Sequence, residues 1–442
     1  LAMPAYVLAF VQVGLLDFTG PVQTLLRAWL GDSRWFPPIR STGGVILVLT
    51  LAFYPYVYLL ARNAFITQGM RAIEAAQALG YTRVQAFWKV ALPMARPWIA
   101  GGLTLALMET LADFGSVSIF SFDTFTTAIY KAWFALFNLP AASQLASLLV
   151  LFVLVLAAVD QRLRHNRRYA AKHFSPGRIA LKGIARWGAT LFCGTILAVA
   201  FAIPVVQLLV WVSEVWRADF DARYPLFLWH SVWLASLAAL LVAALGLLLS
   251  AIRLHHRDSL TQAIVRLATL GYAIPGTVLA VGVFIPIAWL DNRLADLTTL
   301  FGMDSVQILK GSLAVMLLAL AARFLAVAFQ PIDAAMQRIT PNQNNAARAL
   351  GLSPRQTLFR LQLPMVRGGL LTAIMIVFVD VMKEMPITLM TRPFGWDTLA
   401  VRVFEMTSEG MWERAALPSL AIVLTGLLPV ILLVKKSEIS LH

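Results

Sequence analysis

Charge is scarce in this chain. Only 13% of its 442 residues are Asp, Glu, Lys or Arg, where a soluble globular domain carries about a quarter. With 60% hydrophobic side chains and a mean hydropathy of +0.76, too few polar groups remain to face water, which excludes a large soluble enzyme. Cysteine is almost missing. The single Cys193 lies in an apolar run and cannot form an internal disulfide. Histidines are few, and His165, His173, His230, His255, His256 and His442 fall in loops or at the ends of apolar runs with no ligand spacing. No metal site is expected. Walker A, nucleophile-elbow and zinc-protease patterns are all absent, so no catalytic residue and no cofactor are assigned to the chain. Leu1 opens inside an apolar segment, without an initiator Met or a basic signal-peptide start.

What the chain has is apolar length. A hydrocarbon core of roughly 30 Å takes about 20 helical residues to cross, and about ten runs qualify. The first set lies near Ala2–Leu16, Gly44–Phe65, Trp98–Phe120, Gln144–Val159 and Trp187–Val212. The second lies near Trp229–Ile252, Ile264–Leu290, Gly311–Gln330, Gly368–Met390 and Leu417–Val434. The chain is therefore expected to be an all-α polytopic membrane protein. Its net charge of +14 does not indicate nucleic acid, because the basic residues sit between the apolar runs. Loops on one side hold 24 of the 36 Lys and Arg, which predicts that this side, with the C-terminus, faces the cytoplasm. The basic stretch Arg162–Lys182 reads as a cytoplasmic linker beside anionic headgroups.

The chain also repeats itself. Ile73–Pro97 (IEAAQALGYTRVQAFWKVALPMARP) returns at Asn344–Arg367 (NNAARALGLSPRQTLFRLQLPMVR), with Gly80 matching Gly351 at an offset of 271. The same offset pairs Ala75 with Ala346, Ala76 with Ala347, Leu79 with Leu350 and Pro93 with Pro364. Far upstream it also pairs Pro4 with Pro275. One offset over about 90 residues marks a duplication. We divide the chain into a first half at 1–160, the basic linker at 161–186 and a second half at 187–442. An even number of spans between the two copies makes the halves parallel repeats. Two spans precede Pro275 within its half and none precedes Pro4, so the first half is expected to lack its first two helices.

Each copy predicts a helix–turn–helix. Ala72–Leu79 is rich in helix formers, Glu74 suits the positive helix end, and Gly80 supplies a left-handed break. A second helix restarts at Tyr81 or Thr82 and is expected to end at Pro93 and Pro97. Small Ala75 and Ala76 leave a shallow face for a partner. An elbow touching only lipid is the plainer alternative, and duplication at a fixed offset favours docking.

These residues resemble a known family. EAAQALG followed by FWKVALP is similar to the EAA loop of ATP-binding-cassette importer permeases. The resemblance implies the type I (EAA-loop) importer fold in two permease halves, a bacterial inner-membrane location and two cytoplasmic ATP-binding subunits that carry ATP-Mg. It further implies a periplasmic solute-binding protein docked on outward loops such as Asp17–Ser41 and Arg392–Arg414. Glu74, Ala75, Ala76 and Gly80, with Ala346, Ala347 and Gly351, would make or shape the contacts with the ATPases. Asn345 stands where the first copy has Glu74, so the two dockings should be unequal. LAMPAYVLAFVQVGLLDFTGP and the stretch Asp380–Gly410 further resemble fused ferric-iron permeases. Thiamine, phosphonate, polyamine and sulfate importers share the fold.

Acids inside apolar runs are functional candidates by default. Glu109 and Asp113 match Asp380 and Glu384 at the same offset, with a spacing of four that puts each pair on one helix face. Four carboxylates could line a path for a cationic cargo. They could instead pair with Lys383 and Arg323 and lock helices together, the reading favoured for Asp380 and Glu109, with Asp113 and Glu384 left open. A proton- or sodium-coupled secondary transporter using Asp113 and Glu384 is the main rival, though it leaves the paired elbows unexplained. An intramembrane enzyme lacks any nucleophile or metal constellation.

Overall fold

The computed structural model describes residues 3–165, 181–220, 223–256, 258–300 and 309–439. Most of the basic linker therefore lies outside the described residues. Among those described there is no strand. In order, the helices are α1 (Ala5–Leu16), α2 (Pro21–Leu30), α3 (Thr42–Ala64), α4 (Met70–Ala78), α5 (Arg83–Ala86), α6 (Leu92–Ala112) and α7 (Gly115–Ile119). Next come α8 (Phe125–Phe134), α9 (Leu139–His165), α10 (Ile184–Leu197), α11 (Ile203–Asp219), α12 (Tyr224–His255), α13 (Ser259–Ala268) and α14 (Gly276–Leu300). The last are α15 (Leu313–Met336), α16 (Pro341–Ala349), α17 (Pro354–Thr357), α18 (Leu363–Met382), α19 (Pro386–Thr391), α20 (Leu399–Ser408) and α21 (Trp412–Ile439). Nine helical runs among the described residues are long and apolar enough to cross a membrane. The tenth expected span, Leu417–Val434, lies inside α21.

Contacts divide the chain into two units, one built chiefly from 5–124 and 148–207, the other from 125–147 and 208–442. In the first, α1 is buried on every side, with Val7, Ala9, Phe10, Val11 and Val13 wholly enclosed, as an all-apolar helix requires. Its one amide, Gln12, donates to the Val199 carbonyl at 2.9 Å and so is not left unpaired. In the second, α12, α15 and α18 form the core. Ala235, Ala238 and Ala239 of α12, Met316, Ala319 and Leu320 of α15, and Ala373 and Val377 of α18 are all wholly buried. Small side chains let such backbones approach closely. At Gly369 an added Cβ would fall 2.5 Å from the Pro331 carbonyl oxygen.

Three expected spans are redrawn. Ile264–Leu290 is not one helix: α13 stops at Ala268, a 3-10 turn covers Leu270–Ala273, and the span begins at Gly276. Asp258 caps α13 through the Thr261 N–H, and α13 exposes Leu260, Ile264 and Leu267 while burying Val265. It is thus an amphipathic helix beside the bundle. The runs Trp98–Phe120 and Gly368–Met390 are each broken, at Asp113 and at Lys383–Met385, and resume as the short helices α7 and α19.

Pro93 and Pro97 do not end the elbow's second helix. A π-helical turn, Phe87–Ala91, joins α5 directly to α6, so Arg83–Ala112 is one continuous run. Pro93 lacks an N–H for the i−4 carbonyl, and the wider π turn shifts the ladder past that gap, while Pro97 is carried inside α6. Leu358–Gln362 does the same before Pro364.

Candidate functional site

The two elbows stop and restart with the same geometry. In the first, Gly80 adopts φ +88°, its N–H donates to the Gln77 carbonyl at 2.9 Å and the Tyr81 N–H donates to Ala76 at 3.1 Å. In the second, Gly351 adopts φ +77°, its N–H donates to Arg348 at 2.9 Å and Leu352 donates to Ala347 at 3.1 Å. This is a Schellman stop, in which a left-handed residue lets two terminal carbonyls of the helix find donors. The restart is matched as well. Thr82 and Gln85 cap each other reciprocally, and Ser353 and Gln356 exchange bonds of 2.9 and 3.3 Å.

The outcome for the predicted docking residues divides by face. Glu74, Ala75, Gly80, Asn345, Ala346 and Gly351 are exposed. Ala76 and Ala347 are turned inward, at 3% and 5% exposure, so they form no part of a surface and instead let α4 and α16 sit close to their own unit. The residues that reading the sequence passed over are Leu79 and Leu350. Each stands at the tip of its elbow with 81% of its surface in solvent. The repeat paired them, and their apolar character at a turn was the available signal.

The four acids are held by neighbours. Asp113 accepts from the Val117 N–H at 3.1 Å and the Ser116 hydroxyl at 2.8 Å. Glu384 accepts from the Ile387 N–H at 3.1 Å and lies 3.6 Å from Arg323 Nε. At equivalent places, each carboxylate therefore satisfies donors of the short helix that follows the break. Asp380 pairs with Lys383 at 2.8 Å, and Glu109 is half-buried. Among the described residues no three His, Cys, Asp or Glu side chains converge as a metal-holding group.

The stretch Arg392–Arg414 is braced by charge. Arg392 pairs with Asp397 at 3.1 Å and Glu405 at 3.0 Å, and Arg414 pairs with Asp219 at 2.6 Å. Trp396 stacks on His230 with ring centres 4.0 Å apart. The loop so fixed leaves Phe394 wholly in solvent. In Asp17–Ser41, Arg40 reaches Asp17 at 3.1 Å, and Trp29 and Trp35 are exposed.

Comparison with known proteins follows the same lines. The family model described as "Binding-protein-dependent transport system inner membrane component" matches residues 1–168 and 242–435. The Fe(3+)-transport system permease protein FbpB 2 of Haemophilus influenzae is 28% identical over 410 residues, covering 89% of this chain and 76% of that protein. The ferric transport system permease protein FbpB of Actinobacillus pleuropneumoniae is 22% identical over 86% of this chain, which spans only 56% of that relative's length. A solved bacterial alginate ABC transporter, in complex with an alginate pentasaccharide-bound periplasmic protein, aligns at a TM-score of 0.42 and 14% identity. That alignment covers 58% of this chain and 93% of the other.

Proposed function

The chain belongs to the binding-protein-dependent transport system inner membrane component family, and from that premise we propose that it is the membrane-spanning subunit of an ATP-driven importer of ferric iron. The observation that carries the coupling reading is the pair of elbows, each with the same Schellman stop and the same exposed leucine. A turn that serves only to reverse the chain has no need of an apolar tip in water. Two such tips at one repeat offset fit two copies of one partner, the cytoplasmic ATPase. Ferric iron is chosen as cargo because the similar Haemophilus and Actinobacillus permeases carry that substrate in their names.

In this mechanism the solute-binding protein docks outside on the stretches around Asp17–Ser41 and Arg392–Arg414. ATP draws the two ATPases together in the cytoplasm. Each carries its elbow with it. Because Arg83–Ala112 and Arg355–Met382 are continuous helical runs, a displacement at the elbow passes along a rod into the span without a joint to absorb it. Asp113 and Glu384 hold the breaks at the far ends of those rods in shape, a role their hydrogen bonds support better than cargo binding. The chain performs no covalent chemistry.

The decisive experiment is uptake into vesicles holding the chain, its ATPases and its binding protein, with the proton gradient collapsed. Uptake that persists on ATP alone is expected. Uptake that stops would install the secondary transporter instead. Identifying the solute retained by the cognate binding protein then tests iron separately: a polyamine or an oxyanion there would overturn the cargo and leave the permease standing.

A further inference from the structure

The second unit contains a cavity of about 800 Å³ between the ends of α12 and α15, with α13 as its third wall. That volume lies within the ~300–1,000 Å³ of sites for small ligands. Its basic residues are Arg253, His256 and Arg266, and Asp333 is the one acid of the lining. Asp333 is already engaged, accepting from Arg253 at 2.6 Å and from the Gln337 amide at 2.6 Å. Ser250, fully buried in the same wall, has a hydroxyl with no partner. The cavity is thus a cationic recess.

What fills it is indicated by α13. Leu260, Ile264 and Leu267 recur at the spacing of one helix face and are 68%, 51% and 72% exposed. Gln262, Val265, Arg266 and Thr269 turn the other way, into the cavity. An apolar stripe beside a membrane-scale helix belongs in acyl chains, and the polar face of such a helix then sits at headgroup depth. Basic recesses between membrane helices at that depth take anionic headgroups.

We propose that this cavity binds the phosphate headgroup of an anionic phospholipid, with Arg266, His256 and the free face of Arg253 toward the phosphate, while Leu260, Ile264 and Leu267 on the far face of α13 hold the helix at headgroup depth. The cavity is also lined by Thr340, which caps α16. A seated lipid would therefore brace the base of the second elbow. The proposal rests on the chain spanning a membrane and on neither its cargo nor its ATPases.

The test uses the full chain in a neutral detergent, with lipid retention read by native mass spectrometry and by the rise in melting temperature. Phosphatidylglycerol is the probe, phosphatidylcholine the zwitterionic control and inorganic phosphate the free anion. Phosphatidylglycerol should be retained and phosphatidylcholine should not. Arg266→Gln and His256→Gln, both at exposed positions, should melt as the parent does without lipid. Arg266→Gln should weaken phosphatidylglycerol binding about fivefold, the effect of one basic residue near a lipid surface, and the double variant should weaken it further. Ile264→Gln should weaken retention with every charge in place. Arg217→Gln, at the opposite end of the bundle, should change nothing. Equal binding of phosphatidylcholine, or undiminished binding by Arg266→Gln, would overturn the site. Saturation by inorganic phosphate without competition from phosphatidylglycerol would assign it to a free anion and overturn the lipid.

Discussion

Arg323 Nε lies 3.6 Å from Glu384 Oε2, with the two side chains only 11% and 6% exposed. The carboxylate's other oxygen holds the Ile387 N–H, so the pair ties α15 to the break between α18 and α19. Taking either charge out of water is costly, and losing one partner strands the other. Arg323→Ala should therefore lower stability by about 3–5 kcal/mol. Arg323→Met combined with Glu384→Gln should recover most of that loss, because no lone charge remains. Thermal unfolding of the purified variants checks both values. The same series separates structure from transport. If Glu384 carried cargo, Glu384→Gln would lose uptake at an unchanged melting temperature; the ion pair predicts that stability falls as well.

Gly276 exists to make room for that pair. A Cβ there would stand 2.7 Å from Glu384 Oε1 and 3.0 Å from Pro386 Cγ. At the matching places of the first half stand Ala5 and Ala52, where the second half has Gly276 and Arg323. Gly276→Ala should cost about 1–3 kcal/mol as an overpacking change. With Arg323→Ala in the same chain, the two losses should sum to less than their separate values, because both act on one crowded contact. A double-mutant cycle in melting experiments measures the coupling.

The elbows were legible because duplication leaves an arithmetic trace: one offset locates Gly80 and Gly351, and both prove to be left-handed stops. The breaks at Asp113 and Glu384 were hidden because the runs around them stay apolar through Ile119 and Met390, and hydropathy registers burial rather than backbone direction. Pro93 and Pro97 misled for a related reason. A proline is expected to end a regular α-helix, but the π turn before Pro93 removes the conflict there, no residue type announces a π turn, and Pro97 is accommodated inside α6. Ile264–Leu290 merged two helices because an amphipathic helix followed by a span averages to one long apolar window. That 125–147 group with 208–442 is a property of contacts, on which a linear pattern is silent.

Asp258 supplies a pH-dependent prediction outside the spans. Its carboxylate accepts from the Thr261 N–H at 3.0 Å and the Thr261 hydroxyl at 2.8 Å, and these bonds hold its pKa below the ordinary carboxylate value. A group with a lowered folded pKa contributes stability that is present above the unfolded value and is lost as pH falls through the folded one. The amide protection factor of the first turn of α13 should therefore decline as the solution becomes acidic. Asp258→Asn, which still caps, should hold a flat protection factor across the same range. Asp258→Ala should lose protection at every pH. Hydrogen exchange followed by mass spectrometry reads all three, and a flat profile in the parent chain would remove the cap's ionisation from the account.

Leu79 and Leu350 provide the sharpest test of docking, because they touch little in the chain itself. Substitution at a surface position away from special features changes stability by less than about 0.5 kcal/mol, so Leu79→Ala and Leu350→Ala should melt as the parent does. Burying a leucine in a partner is worth about 1.5–3 kcal/mol, so each variant should bind the ATPase roughly ten- to a hundredfold more weakly in co-purification titrations. Gly80→Pro acts by another route. Proline cannot adopt φ +88° and has no N–H for the Gln77 carbonyl, so the elbow's direction changes and ATP hydrolysis should uncouple from uptake while the protein still inserts. The charge difference between the copies adds a direction. Glu74→Lys reverses a charge that the second elbow never had, and should depress coupling more than Asn345→Lys does. Equal damage from the two lysines would show that the dockings are alike. Undiminished ATPase binding by both leucine variants would mean that the tips rest on lipid rather than on a motor.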